Sequence, residues 1–543
     1  MRRSQLISVV AVFLIFIASI AAVRSGDIYF QIKKQLTIFS DIYKEVATLH
    51  VDEHSPEALM KKGIDAMLDS LDPYTSFVDE GQQQEMEILS TGTYGGIGVD
   101  VGYRGERIVV IAPFEGYPAE RAGIRPGDII QSINGLSTEG MNPEEVQRLS
   151  IGDIGSSVHL EIERRGIDQI LEFELERERI EVKNITYSGL IGDGSDIGYV
   201  QLTRFGQNTS EELRLHLAEF KEQENLRGLI LDFRNNPGGL LDEAVYVVDK
   251  FIEPGEMIVE TRGRVQEQSR TFRSEEPALF DELPLVVLLN NGSASASEVV
   301  AGALQDLDRA VIIGESSFGK GLVQTIRPLS YNTSLRLTVS RYYTPSGRSI
   351  QSSGYGSEGD GSSSSSRTEY QTRNGRAVYD GVGIKPDVEI SSVELTHAET
   401  AIRQQNQYIF FINDYLAELG DPEGEIPGDL YDAFIAYLED ENFDYETQAD
   451  KQIGNLKSNM DQFEDSGKAA ELLDELDELA HIQKKNNLHN SREGIEKSLK
   501  LEWISRTQGE SEKMKLSIPM DEMINESLIV LRDPERYNRI LSN

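Results

Sequence analysis

The sequence predicts an α/β protein, a layer of buried strands alternating with helices, with a glycine-rich β segment before it and helical segments at both ends. Three observations carry this. Near-continuous apolar runs at 226–233, 285–289 and 310–314 alternate with helical patterns, as expected of strands covered on both faces. Between Thr93 and Arg164 short alternating runs are separated by glycine turns instead of helices. From Ile28 to Leu71, and again beyond residue 396, apolar residues recur at helical spacing among charged ones.

The 543 residues suffice for several ordinary domains. A formal net charge of -39 repels phosphate backbones and excludes nucleic acid as the main partner. Cysteine is absent, which removes disulfides, thiolate nucleophiles and cysteine-based metal sites. Leu6 to Val23 is a mostly apolar stretch behind Arg2 and Arg3. It fits either a signal peptide or a single membrane anchor, and both export the rest of the chain. We therefore expect residues 1–25 to be a signal or anchor, with the remainder in the bacterial periplasm or tethered on the extracytoplasmic side.

Residues 26–83 read as a small helical region that stops at Asp72-Pro73, because proline disfavours helix in the residue before it. Next comes Tyr94-Gly95-Gly96-Ile97-Gly98-Val99, a glycine loop feeding a strand edge. Such a loop leaves backbone N–H groups free to hold a carboxylate, and such an edge accepts an extended peptide as an added strand. A bare glycine cluster is more often only a turn.

The α/β layer begins near Ile180. Strands are expected at 197–202, 226–233, 285–289, 310–314 and 335–343, with helices at 210–223, 241–251 and from Glu298. In such sheets ligands bind in the loops that follow the strands. Three of those loops are unusual: Arg234-Asn235-Asn236-Pro237-Gly238-Gly239, Ser293-Ala294-Ser295-Ala296-Ser297-Glu298, and Ser317-Phe318-Gly319-Lys320-Gly321. Ser352 to Ser366 is almost entirely serine and glycine, too polar to bury a core, and reads as a flexible surface loop. The segment 396–543 reads as an acidic helical extension, suited to core packing or self-association.

A serine hydroxyl needs a base before it attacks a carbonyl. None of the seven histidines falls in the candidate loops, whereas Lys320, flanked by two glycines, does. A lysine serves as the base once desolvation makes it neutral, and Phe318 and Leu322 offer an apolar surround. Gln324 adds an amide oxygen that could orient the amine without the charge that would keep it protonated. The plainer reading is that the serine cluster caps a helix, with Ser297 as the cap.

Five ordered motifs carry a resemblance that bears on this choice: 71–77 (LDPYTSF), 232–239 (DFRNNPGG), 293–298 (SASASE), 314–324 (GESSFGKGLVQ) and 344–351 (TPSGRSIQ). The chain resembles the carboxyl-terminal processing peptidases, Ser-Lys endopeptidases with an embedded PDZ domain. Residues 84–175 resemble that domain, through Gly95-Gly96-Ile97-Gly98 and Ala122-Gly123-Ile124-Arg125-Pro126-Gly127-Asp128.

The resemblance implies a ClpP/crotonase-like protease core over 176–395, interrupted by the insert 352–366, with helical extensions over 26–83 and 396–543. It places the nucleophile on Ser295, the general base on Lys320 and the orienting amide on Gln324. Backbone donors for the oxyanion fall on Gly238, Gly239 and Ala296, and the peptide carboxylate on Gly95, Gly96, Ile97 and Gly98. The implied reaction is acyl transfer without metal or organic cofactor, on polypeptides with accessible C-termini. An activator or adaptor, membrane anchoring and homo-oligomers through the helical ends are further expectations. Where the family often carries Leu-Arg-Gly, this chain has Leu149-Ser150-Ile151-Gly152. One rival reading is an inactive PDZ scaffold, which would have no need of Ser295, Lys320 and Gln324 together. Another is an esterase, which lacks a Gly-x-Ser-x-Gly elbow here.

Overall fold

Gly228–Asp232 is the strand whose pattern explains the architecture. Leu229 and Leu231 point to one face of a six-stranded sheet and Ile230 to the other, and all three are inaccessible to solvent. Side chains alternate along a strand, so an uninterrupted apolar run requires a layer on each side. The computed structural model describes residues 29–82, 91–352, 367–391, 395–419, 425–459 and 466–542. The Leu6–Val23 stretch lies outside them, as does the Ser/Gly insert apart from Ser352. Among the described residues no helix is long and apolar enough to cross a membrane.

The chain divides into two units, residues 1–80 with 324–338, and residues 81–323 with 339–543. In the smaller unit, a helix over 29–49 is followed by Pro56–Asp69, which begins on a Ser55 cap and a proline in its first turn. Ser76–Val78 then pairs antiparallel with 334–336.

In the larger unit the sheet order is Ile185–Ile191, Ile197–Leu202, Gly228–Asp232, Leu285–Leu289, Val311–Gly314, Val388–Glu389, with every neighbouring pair parallel except the first. One face is covered by the helices Thr209–Lys221, Leu241–Asp249 and Ala296–Asp306. The opposite face is covered by the end of the chain: Met523, Ile524, Val530 and Leu531 of Glu522–Arg532, and Tyr537 and Leu541 of Pro534–Ser542, pack on Ile230, Val286, Leu288 and Ile313. The last two helices are therefore part of the α/β core.

Ahead of this core lies a six-stranded antiparallel sheet, Val99–Arg104, Arg107–Pro113, Ile129–Ile133, Ser157–Glu163 and Leu171–Glu176, with Leu136–Ser137 paired to Ile129–Ile133. The helix Pro143–Ser150, started by a reciprocal Asn142–Glu145 capping box, packs beside Val99–Arg104. Thr93–Gly96 pairs antiparallel with Glu178–Glu181 in a separate two-stranded ribbon. The remaining helices of the C-terminal region, among them Gln407–Leu419, Leu430–Asp440 and Arg492–Gln508, surround Trp503, Phe434 and Phe411. Among the strands that went unrecognised in the sequence are Met257–Gly263 and Arg270–Arg273. Glu260, Arg262, Arg270 and Arg273 break their apolar pattern.

Candidate active site

Leu285–Leu289 leaves the sheet through Asn290, and the helix Ala296–Asp306 starts six residues later, so Ser295 sits on a sharp strand-to-helix turn. Its backbone has φ 56° and ψ -112°, a conformation that side-chain-bearing residues rarely adopt and that persists only when its surroundings enforce it. Ser295, not Ser297, holds the N-cap position. Ser297 instead donates its hydroxyl to Asn236 O (3.0 Å).

What enforces the turn is Glu298, a carboxylate with no solvent exposure. It accepts hydrogen bonds from Ser295 N (2.8 Å), Ser317 Oγ (2.5 Å), Gly319 N (2.7 Å) and Lys320 N (2.8 Å). One side chain thus gathers the backbone of Ser295 and that of Lys320. Burial pushes the Glu298 carboxyl upward, and the four donors pull against it. Phe318 N donates to Ser293 O (3.0 Å), a further tie between the two loops.

The glycines around Lys320 have a steric reason. A Cβ on Gly319 would lie 2.5 Å from Ser352 Cβ, and one on Gly321 2.4 Å from Gln351 N. The 351–352 backbone runs along the lysine loop, with Gln351 Oε1 accepting from Gly321 N (3.0 Å) and Ser352 N donating to Gly319 O (2.9 Å). Of the two apolar neighbours expected near the amine, Leu322 is buried but Phe318 is 41% exposed. Tyr342 N donates to Gly321 O (2.8 Å), and its buried phenol faces the Ser295 side chain. Burial raises that phenol to about 12, against a hydrogen bond from Ser295 that lowers it.

The Asn235–Gly239 loop completes the surround. A Cβ on Gly238 would stand 2.8 Å from both Ser295 Cβ and Ala296 N, so only glycine lets this loop lie against the turn. Gly238 N donates to Asn236 Oδ1 (2.9 Å). Gly239 bridges Phe205 in parallel fashion: Phe205 N donates to Gly238 O and Leu240 N to Phe205 O, so the Gly239 N–H points away from that ladder. Ala296 N lies in the first helical turn, where no intrahelical acceptor exists.

Gln324 belongs to the smaller unit, where its Nε2 donates to Thr338 Oγ1 (3.4 Å) and Thr338 Oγ1 donates to Asp72 Oδ1 (3.0 Å). The Thr344–Arg348 motif is structural. Arg348, 1% exposed, pairs with Asp306 (2.8 Å) and Gln305 Oε1 (2.7 Å) at the end of the helix Ala296–Asp306. In the first domain, the carbonyls of Gly95, Ile97 and Gly98 accept from Gly152, Ala119 and Phe114 N–H. Arg177 caps the end of Pro143–Ser150 through Leu149 O (2.9 Å) and Ser150 O (3.1 Å), beside the segment that departs from Leu-Arg-Gly. Among the described residues one group could hold a metal ion, the exposed His50, Asp52 and His54 of the smaller unit, with ligand atoms within 4.8 Å of one another.

An α/β core with a strained serine turn, a glycine-flanked lysine and an inserted PDZ domain defines a class, the PDZ-containing serine peptidases. Residues 196–361 match Peptidase family S41, 109–164 match the PDZ domain, and 398–531 match the C-terminal helical domain of probable PDZ-proteases. The carboxy-terminal-processing protease of Bartonella bacilliformis is 43% identical over 324 residues, 59% of this chain and 74% of that protein. The carboxy-terminal processing protease CtpA of Bacillus subtilis is 33% identical, over 58% of this chain and 66% of its own. Among solved structures, the photosystem II D1 C-terminal processing protease is 28% identical, with a TM-score of 0.36 over 64% of this chain and 85% of that one. The chain belongs to the carboxyl-terminal processing peptidases, and is a serine-type endopeptidase of that family.

Proposed function

We propose that Ser295 is the nucleophile, Lys320 its general base and Gln324 the amide that orients the lysine. The observation that carries this is Glu298, which holds the backbone of the strained serine and that of the lysine on one buried carboxylate. The neutral amine takes the Ser295 proton, Oγ attacks the scissile carbonyl, and the same amine protonates the leaving nitrogen before water resolves the acyl-enzyme. Gly239 and Ala296 N–H are the favoured oxyanion donors, because the Gly238 N–H is already engaged by Asn236. The core is proposed to be of the ClpP/crotonase type, on the strength of the family resemblance.

The substrate's C-terminal carboxylate is taken up at Gly95-Gly96-Ile97-Gly98. The carbonyls of that loop turn into the protein, and the N–H groups of Ile97 and Gly98 have no acceptor among the described residues. Export, with or without anchoring, follows from the N-terminal apolar stretch. Self-association is supported by exposed apolar side chains on the helix 29–49 (Phe30, Leu36, Ile42) and on Ser466–Asn490 (Leu472, Leu476, Leu479).

The test is digestion of an unfolded polypeptide by the exported part of the chain, with products read by mass spectrometry. Ser295→Ala and Lys320→Ala abolish cleavage and keep tail binding to the PDZ domain. Cleavage by Ser295→Ala would overturn the assignment. Tail binding without cleavage by the wild type would point to the scaffold or to a missing activator.

A further inference from the structure

The C-terminal region reaches Arg234, at the head of the proposed oxyanion loop, through Asp521 and, more weakly, through Met523 Sδ (3.8 Å). Asp232, at the end of the central strand and with no solvent exposure, accepts from Tyr199 Oη (2.7 Å) and from Arg234 N (3.0 Å), Nε (3.0 Å) and Nη2 (2.6 Å). The Arg234 guanidinium is thereby folded back on its own strand, with one nitrogen remaining. That nitrogen, Nη1, donates to Asp521 Oδ2 (2.7 Å).

Asp521 is the N-cap of Glu522–Arg532. Its other oxygen, Oδ1, accepts from Met523 N (3.0 Å) and Ile524 N (3.1 Å). A single carboxylate therefore starts the helix that covers the back of the sheet and clamps the arginine that precedes the loop. Burial works against the Arg234 charge, and Asp232 and then Asp521 outweigh it.

The residue after Arg234 is Asn235, at φ 58°. The chain must turn left-handed there, and its course is fixed on both sides. Asn235 N donates to Asn290 Oδ1 (2.8 Å), and Asn236 O receives Ala294 N (3.0 Å) and Ser297 Oγ (3.0 Å). A shift at Arg234 acts on this held loop four residues before Gly238, which lies against Ser295. Errors of an ångström in an oxyanion donor cost large factors in rate.

We propose that Asp521 is a positioning residue for the peptidase reaction, holding Arg234 so that the Asn235–Gly239 loop presents its N–H groups to the oxyanion. This rests on the assignment of Ser295 and its oxyanion donors above. It gives the end of the chain a direct hand in turnover beyond covering the sheet.

The test separates the charge from the cap. Asparagine caps a helix as well as aspartate does, so Asp521→Asn in the full chain keeps the helix start and removes the negative partner of Arg234. We expect kcat on an unfolded polypeptide to fall about tenfold with KM within about twofold, and Ser295 labelling by a fluorophosphonate to slow by the same factor. Thermal stability and tail binding stay at wild-type values, and Asp521→Glu recovers most of kcat. Combining Asp521→Asn with Arg234→Lys costs no more than the worse single change, because both act through one contact. Wild-type kcat and labelling in Asp521→Asn would overturn the proposal. So would a loss that tracks a fall in melting temperature and is not recovered by glutamate. Ser295→Ala runs alongside: if it still cleaves, the assignment of the nucleophile fails; if it does not and Asp521→Asn is fully active, only the role of Asp521 fails.

Discussion

Two charged contacts hold this protein's working parts, and they are built in opposite ways. Beneath the serine turn, Glu298 is fully buried, has no cation among its hydrogen-bond donors, and is met by three backbone N–H groups and one hydroxyl. Between the PDZ domain and the C-terminal helices, Arg104 donates to Asp414 (3.1 Å), Glu441 (3.0 Å) and Tyr437 Oη (3.3 Å), while Arg165 also pairs with Asp414. These side chains are partly exposed and surround an apolar contact of Phe410 with Val109 and Ile111. Backbone donors cannot rotate away, so the first contact fixes geometry. Ion pairs on long side chains are screened and adaptable, so the second fixes an association that can be loosened.

The sharpest test of this contrast is at Glu298, where the largest effect is expected. Glu298→Ala leaves three N–H groups and a hydroxyl unpaired in the interior, which costs on the order of 3 kcal/mol or more of stability. It also frees the serine and lysine loops from each other, and we expect kcat/KM to fall by at least about a hundredfold. Melting curves together with polypeptide digestion check both.

Titration sharpens the comparison further. Burial raises the Glu298 carboxyl above its ordinary value of 4.5, so the folded protein holds this proton more tightly than the unfolded chain. Stability from the bound proton is full below that ordinary value and is lost as pH rises through the folded pKa. Glu298→Gln mimics the protonated form and has no such titration. Over the range above that ordinary value of 4.5 the wild type should therefore lose stability relative to Glu298→Gln as pH rises. A difference that stays flat across that range would show that the donors cancel the effect of burial.

Much of this was legible in the sequence. Apolar runs marked the central strands, and the three unusual loops after them, at 234–239, 293–298 and 317–321, are the ones the structure ties together. What escaped was every role that depends on distant partners. Glu298 reads as an ordinary first-turn acid until Gly319 and Lys320, 21 and 22 residues on, are seen donating to it. Asp521 lies 287 residues from Arg234, and no spacing rule connects a helix cap with a strand end so far away. The C-terminal region was read correctly as helical, but the apolar spacing of 522–542 could not say that it faces the sheet.

At the PDZ dock, Phe410 is 1% exposed and carries the apolar part of the contact. Phe410→Ala should weaken docking by about 3 kcal/mol. Hydrogen exchange should then rise along Arg107–Pro113 and in Gln407–Leu419, while the interior of the α/β sheet stays protected. Equal loosening of the sheet would show that the two regions are one cooperative unit and that the contrast drawn above is wrong.

The smallest effect is expected at Asp414, and it tells most about the kind of contact this is. Asp414 receives two arginines, but Arg165 is mostly exposed and Arg104 has a second carboxylate in Glu441 and an arene in Phe410, 5.2 Å from its guanidinium carbon. Removing one acid leaves neither cation stranded, so Asp414→Asn should cost about 1 kcal/mol or less of docking. That cost should shrink towards zero as salt approaches about 1 M, where charges more than a few ångströms apart no longer sense each other. The Phe410→Ala effect should not shrink, because burial of apolar surface does not weaken with simple salt. Hydrogen exchange of both variants at low and high salt separates the two cases. If the Asp414→Asn loss persists undiminished at high salt, the arginine cluster is a rigid, desolvated lock like the one under Ser295, and the PDZ domain is then held as firmly as the serine turn.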